Sequence, residues 1–423
     1  MQRNVLAALI AGLFVLPVQA QDTPLLEEII VMATRLPTPD VLAPYASEVH
    51  TRGQIERSGA ASLYDYLAQH ASINVMPSYG NRFTPLLDMR GYGANGGQNI
   101  VVTVDGVRLN NIDAMPQLLG AIPLGDIERI EITKGSGAVL LGDGATAGSL
   151  QIVTRAHQGV SMGGGAGNFG MQTANVSAGL DQGGLKLSVS GLYDHVDGYA
   201  DADVTGRRDA STNRTWRGMA VIKPIAPLDL GLDWASSRID TRYPGPLTLA
   251  EFTANPAQNG GNTYNHQALD ADSWRLRGDL AWAPGWRLSA SHGQQDKVSH
   301  YLGLFPFRYD YDQDSSDISL QFKGQAFEGV AGWQRSEGVR ISRNGFGDND
   351  TDKRSRAVFA QGQYRIDDTA ILVGVRHENI AYRYQPLAGA AVASSHGLSA
   401  WNLGVNQTLG GGLTAFARLD DAY

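Results

Sequence analysis

The chain has 423 residues, enough for two or three domains, with 43% hydrophobic residues and 51 glycines. Its net charge of −8, with no basic blocks, argues against nucleic acid as a partner, and the absence of cysteine excludes disulfide and thiolate chemistry. The slightly negative mean hydropathy argues against a bundle of membrane helices but not against a membrane barrel, whose apolar residues alternate with polar ones.

Residues 1–20 read as a secretory signal peptide. Arg3 supplies the charge, Val5 to Leu16 the apolar core, and Val18-Gln19-Ala20 the small-residue cleavage site after Pro17. The apolar run is too short to span about 30 Å of hydrocarbon as a helix. Residues 27–35, EEIIVMATR, follow closely. Ile29, Ile30 and Val31 favour extended backbone, and Pro37 and Pro39 keep the next residues out of helix. Such a segment can add as a strand to a partner's sheet edge, or form an ordinary first strand.

Residues 40–155 carry mixed α+β signals. A strand leading to a short helix is expected over Val41 to Ile55. Ser62 is placed to cap a helix, with Asp65 three residues on and Leu63, Tyr66 and Leu67 on one face, ending near His70. A strand follows at Ile73 to Met76, then the turn sequence LDMRGYG with Arg90 and Gly91. Asp105-Gly106 between the runs 99–104 and 107–110 predicts a tight hairpin. The alternation from Arg129 to Lys134, with Glu131 inside it, predicts a half-buried strand. Gly135, Gly137, Gly142, Gly144 and Gly148 then allow close packing before a second strand at Ser149 to Thr154. Gly135-Ser136-Gly137 is no phosphate cradle, because Leu140 stands where a third glycine is needed.

The stretch IPLGDIERIEITKGSGAVLLGDGATAGSLQIVTR resembles the closing section of the plug domain of TonB-dependent outer-membrane receptors, IERIEVLRGPxSxLYGxxAxGGxINIxTK. It departs at Lys134, at Ser136-Gly137 and at Leu140-Leu141. LDMRGYG and VVTVDGVRLNN are similar to further segments of that domain, and EEIIVMATR resembles the TonB box, here Glu28, Ile29, Ile30, Val31 and Met32. The resemblance implies two outward-facing cargo loops, Pro77 to Pro85 with Tyr79, Asn81, Arg82 and Phe83, and Asn110 to Gln117 with Asn110, Asn111, Met115 and Gln117. The short spacing between signal peptide and box leaves no room for a signalling domain, so a transporter is expected and not a transducer.

Residues 156–423 become alternating runs separated by turns, the pattern of a transmembrane antiparallel β-barrel. Trp234, Trp282, Trp286 and Trp401 near run ends suit interfacial aromatic belts. Short turns are expected near Pro227 and Pro284-Gly285. Long external loops are expected at Asp194 to Asn213, Arg238 to Asp272 and Lys297 to Asp317, the last with Tyr301, Phe305, Phe307, Tyr309 and Tyr311 as a cargo surface. Asp194, Asp197, Asp201 and Asp203 are candidate Ca²⁺ ligands, or a solvated acidic loop. Roughly 12 strands of about 10 residues are expected, against about 22 in the family, so a partial barrel is expected, truncated within the wall and unable to assemble alone as a working transporter.

The resulting expectation is a non-enzymatic receptor that takes up a ferric siderophore, with cobalamin or another bulky cofactor as the alternative and TonB with its inner-membrane complex as the partner. No resident cofactor is expected. A passive porin or adhesin, or a soluble β-rich enzyme, remains as a reading of another class.

Overall fold

A computed structural model describes residues 30–31, 38–39, 46–78, 80–303, 306–344, 347–410 and 413–423. The signal-peptide segment 1–20, most of the TonB-box segment (Glu28, Ile29 and Met32), Tyr79 and Phe305 lie outside the described residues. Within the box, β1 (Ile30–Val31) pairs antiparallel with β2 (Thr38–Pro39), a two-residue ladder.

A small α/β domain comes next. Its sheet runs in the order β3 (Ala46–Thr51), β8 (Ile127–Lys134), β9 (Gly148–Thr154), β6 (Ile100–Val104), β7 (Val107–Arg108). Only the β6–β9 pair is parallel. Helix α1 (Arg52–Arg57) follows β3 directly, and α2 (Leu63–His70) starts at Ser62, whose side chain accepts from the Asp65 N–H. The predicted face of α2 is the one buried: Leu63, Tyr66 and Leu67 share one core with Ile130, Ile132, Leu150 and Ile152. Each such fully buried side chain contributes about 1.5–3 kcal/mol. Asp105 and Gly106 both have positive φ, 52° and 84°, as a two-residue hairpin turn of the predicted type requires. Arg90 and Gly91 form a second left-handed pair, at 62° and 77°. Glu131 is buried against Arg129 at 2.7 Å, and the Gly135 N–H donates to the Ala147 carbonyl.

The remaining chain forms one antiparallel meander of 13 strands: β10 (Gly159–Ala166), β11 (Gln172–Gln182), β12 (Leu185–Val196), β13 (Ser211–Ile225), β14 (Leu228–Tyr243), β15 (Asn265–Ala283), β16 (Trp286–Tyr301), β17 (Phe307–Lys323), β18 (Phe327–Arg343), β19 (Asn349–Ile366), β20 (Thr369–Pro386), β21 (Val392–Gly410) and β22 (Leu413–Asp421). Among the described residues β10 and β22 each have one neighbour, so the sheet is open, a partial barrel. The 13 strands agree with the roughly 12 expected. Two expectations need correction. Several strands reach 16 to 19 residues instead of about 10. The expected loop Lys297 to Asp317 is mostly strand, with only residues 302–306 joining β16 to β17. The other long connections shrink likewise, to 197–210 and to 244–264, the latter carrying a short helix, Leu249–Ala254.

The lipid-facing rows are those the alternation predicts. Leu185, Leu187 and Val189, and Trp274, Leu276 and Trp282, are exposed on the outer face. Trp282 stacks with Trp286, which packs on Phe322, a continuous aromatic belt beside the short turns. Trp234 pairs across strands with Trp274 at the other limit. The eight positions from Trp274 to Trp282 span about 27 Å along the strand at ~3.4 Å per residue. A tilt of about 40° reduces that to about 21 Å of height, close to the apolar band of about 25 Å in such barrels.

Candidate functional site

The inner face of the meander touches the small domain, and the charged contacts between them follow one electrostatic rule. Carboxylates on the turns of the small domain meet basic side chains from the wall. Asp105 lies 3.7 Å from Arg217, and its carbonyl accepts from Arg275. Asp113 meets Arg340 at 2.9 Å, and Asp143 meets Lys353. Asp126 accepts from His157 at 2.9 Å and from the Ser190 hydroxyl at 2.7 Å, with Arg217 at 3.9 Å. One clamp runs with the charges collected on the wall. Arg376 and Glu378 of β20 form a buried pair at 2.8 Å, and the Glu378 carboxylate accepts from Ser355, Tyr423 and the Asp143 N–H. Charges withdrawn from water in this way need hydrogen-bonded partners, and Glu378 collects four of them.

Between these clamps lie two cavities. One of about 90 Å³ separates Val107, Leu109 and Leu118 from Ala235, Ser237, Ala271 and Ser273, small residues that leave the wall recessed. The other, about 140 Å³, lies between Arg108, Asn110 and Ile112 on one side and Ser315, Ser336 and Ser355 on the other.

The expected cargo residues divide into two groups. Residues Pro77 to Pro85 are not an open loop: β4 (Asn74–Ser78) and β5 (Asn81–Asp88) form a hairpin. Asn81 is buried and donates to Gln267 at 2.7 Å, and Phe83 packs with Ile239, Leu269 and Leu118. Both therefore join the small domain to the wall. Arg82 stays partly exposed, 3.5 Å from Asp194. Asn110 is also internal, accepting from the Val102 N–H and donating to the Ile100 carbonyl. Asn111 holds the Met115 and Pro116 carbonyls, and Gln117 is buried on the Gly97 carbonyl. The sequence places these polar residues on turns, where exposure is the ordinary expectation; hydrogen bonds inside the small domain reverse it for Asn110 and Gln117, and contact with the wall reverses it for Asn81 and Phe83. Met115 remains half-buried at the apex.

The aromatic group does come together. Tyr301 and Phe307 stack at 4.0 Å, Tyr309 follows, and the Arg340 guanidinium sits 5.5 Å over the Tyr309 ring. Lys297 and Lys353 lie near the rings of Tyr311 and Tyr382 in the same manner, at 5.9 and 5.0 Å. The basic residues Arg217, Arg275, Lys297, Arg340, Lys353 and Arg376 were not singled out from the sequence. A charge at an inward position of a strand is the signal that marks them.

The four aspartates do not converge. Asp194 faces Arg82, and Asp197 pairs with His195 at 3.0 Å. Asp201 accepts from Asn255, and the Asp201 carbonyl accepts from the Tyr264 hydroxyl. Asp203 accepts from the Thr205 hydroxyl and from the N–H groups of Thr205, Arg207 and Tyr264, which hold its carboxyl down at about 2. These last two staple one external loop to the next. Among the described residues no group of three or more metal-ligating side chains comes together.

A small α/β domain clamped against the inner face of a lipid-facing antiparallel wall defines a plugged outer-membrane receptor. Residues 40–149 match the family model of the TonB-dependent Receptor Plug Domain. The vitamin B12 transporter BtuB of Vibrio vulnificus is 31% identical over 206 residues, which is 47% of this chain and 33% of that protein. Among solved structures, the ferric yersiniabactin uptake receptor FyuA from Yersinia pestis superposes with a TM-score of 0.74 at 17% identity, covering 89% of this chain and 64% of that one. The ferric citrate transporter FecA in its unliganded form gives 0.76 at 15%, covering 90% and 63%. The chain thus spans somewhat less than two thirds of these receptors' length. Residues 40–149 are thus a TonB-dependent receptor plug domain, and the wall that follows shares the fold of these outer-membrane receptors.

Proposed function

We propose that this chain is the plug and part of the wall of a transporter that draws a bulky metal chelate, most simply a ferric siderophore, through the outer membrane. The observation that carries this is the inner wall beside the plug apex, where the Arg340 guanidinium lies over Tyr309 and the Tyr301 and Phe307 rings stack next to it. Aromatic faces and fixed cations suit a large, polarisable, oxygen-rich anion. The cargo contacts expected from the resemblance that retain some exposure, Arg82 and Met115, are assigned to the same surface, with Tyr301, Phe307 and Tyr309. Tyr79 and Phe305 are assigned there from sequence alone.

The partner assigned to the box segment is TonB. Ile30–Val31 already adopts extended backbone in the two-residue ladder with Thr38–Pro39, and exchanging that short partner for a TonB strand replaces two residue pairs with more. Force applied there reaches the plug through β3. Deleting residues 28–32 is expected to abolish uptake while leaving chelate binding intact; unchanged uptake would contradict the assignment.

A second reading, uptake of cobalamin, is favoured by the B12 transporter among the relatives. Titrating the protein with ferric citrate, a catecholate ferric chelate and cyanocobalamin, followed by quenching of tryptophan fluorescence, separates the two. Binding of an iron chelate and not of cyanocobalamin is the expected result, and the reverse result would replace the first reading by the second.

A further inference from the structure

The outer face of the wall, above the apolar band, is divided by charge. On β17, Ile318 faces the lipid, and counting in twos toward the outside brings Ser316, Asp314 and Asp312 to the same face. Ile318 lies opposite Trp333 on β18, and Trp333 opposite Val358 on β19. The outward rows of those strands therefore continue as Arg335 and Glu337, and as Arg356 and Arg354. On β16 the outward Asp296 lies directly opposite Asp312 on one side and Asp272 on the other. Carboxylates thus collect on β16 and β17, both signs on β18, and guanidinium groups on β19. The heights match as well. Asp314 and Asp312 stand nine and eleven positions from Lys323, at the short-turn end of β17, and Arg356 and Arg354 stand ten and twelve from Ile366, at the same end of β19.

Like charges directly opposite one another destabilise a sheet, and at this level they lack counter-charges. Among the described residues Asp296, Asp312, Asp314 and Arg354 form no salt bridge, and Asp272 is spent on Arg238 at 2.7 Å. Arg335 and Arg356, also directly opposite, share the one carboxylate of Glu337, at 2.9 and 3.9 Å. The Arg356 side chain stays 66% exposed. Further out the charges are matched within the chain: Asp310 with Arg308 at 2.7 Å, Asp350 with Arg343 at 2.8 Å, and Asp352 opposite Arg383. The mismatch is confined to one level, just above the apolar band.

We propose that the outer face of β17–β19 is a self-pairing surface for a second copy of this chain, related by a two-fold axis along the membrane normal that passes through β18. In such an isologous contact the β17 of each copy faces the β19 of the other. Asp314 and Asp312 then meet Arg356 and Arg354 of the partner subunit, and the equivalent pairs form on the other side of the axis. Arg335 and Glu337, nearest the axis, meet Glu337 and Arg335 of the partner subunit. The wall is convex, so contact is limited to the strands beside the axis. Three strands about 4.8 Å apart cover about 10 Å, which is the width the three charged rows occupy. A partner of uniform charge would satisfy one half of this face and repel the other, whereas the rotated copy answers both halves.

The test is cross-linking in outer membranes. The chain has no cysteine, so Val339→Cys, two positions beyond Glu337 on the outward row of β18, reports on the axis alone. A short bismaleimide is expected to join this variant into a covalent dimer, and to leave Val189→Cys, exposed on the outer face of β12, as a monomer. Raising the salt from 0.1 to 1 M shortens the Debye length from about 10 to about 3 Å and should lower the dimer yield. In the Val339→Cys background, Asp312→Arg and Arg354→Asp should each weaken association about tenfold. Co-expressing the two should restore it, because each reversed charge then meets its opposite across the axis. The double variant Asp312→Arg/Arg354→Asp should pair with itself, which covers the case in which one single change does not fold. Cross-linking at Val339→Cys no greater than at Val189→Cys, or a dimer indifferent to the charge reversals, overturns the proposal. So does a dimer lost when EDTA removes divalent cations, because ions or glycolipid phosphates then bridge the two faces in place of the arginines.

Discussion

Removing the Glu378 carboxylate tests how the plug is fixed to the wall. Arg376 and Glu378 are both about 3% exposed in their side chains, and the carboxylate collects donors from Arg376, Ser355, Tyr423 and the plug residue Asp143. Glu378→Ala leaves the guanidinium buried without its counter-charge. Breaking one side of a buried pair costs about 3–5 kcal/mol, whereas replacing both sides with apolar residues is often close to neutral. At about 1.4 kcal/mol per decade the single change lowers the folding equilibrium by roughly two to four orders of magnitude. Arg376→Met with Glu378→Leu should recover most of that loss. The assay is urea unfolding in detergent, followed by the fluorescence of the seven tryptophans. A single variant within about 0.5 kcal/mol of the parent, the size of a neutral surface change, would refute the reasoning, as would a double variant as unstable as the single one.

Further changes probe other parts of the structure. A Cβ on Gly338 would lie 2.4 Å from Ile112 Cγ2, so Gly338→Ala should destabilise by about 1–3 kcal/mol, with relief from Ile112→Ala in the same urea assay. Ile318 is exposed on the lipid face, and Ile318→Arg should weaken membrane insertion by about 2–4 kcal/mol, while Asp310→Arg, eight positions earlier in β17 and beyond the apolar band, should cost about 1 kcal/mol or less. Equal penalties at the two sites, measured by partition between bilayer and urea, would contradict the band drawn here. The Asp203 carboxyl is held at about 2, below its ordinary value, so the ionised form is favoured by folding. Its contribution is complete above about pH 4 and is lost as the pH falls toward 2; proteolytic nicking within 198–210 should rise over that window, and Asp203→Asn should nick readily at neutral pH.

What could be read from the sequence follows from where a local rule was sufficient. Asp105-Gly106 dictates its turn because Asp and Gly adopt two successive positive φ values at little cost. Ser62 and Asp65 fix the start of α2, and the lipid-facing rows are legible wherever one face must be apolar. Past the lipid that constraint ends. From Asp310 to Asp317 both faces of β17 are polar or aromatic, so a strand looks like a loop. β10 fails for the opposite reason: Gly163, Gly164 and Gly165 carry no side chains to alternate. The plug–wall site depends on residues more than 180 positions apart, such as Asn81 with Gln267 and Asp113 with Arg340, which no local pattern connects.

A cysteine pair at positions 112 and 338 tests the seating of the plug inside the wall most directly. With a C–C bond of about 1.5 Å added to the 2.4 Å contact, the two Cβ atoms lie within about 3.9 Å, inside the range a disulfide needs. Mild oxidation of Ile112→Cys/Gly338→Cys in outer membranes should give near-complete cross-linking within the chain, read as a mobility shift that reductant reverses. Free thiols at both positions that react fully with maleimide and never cross-link would contradict the account.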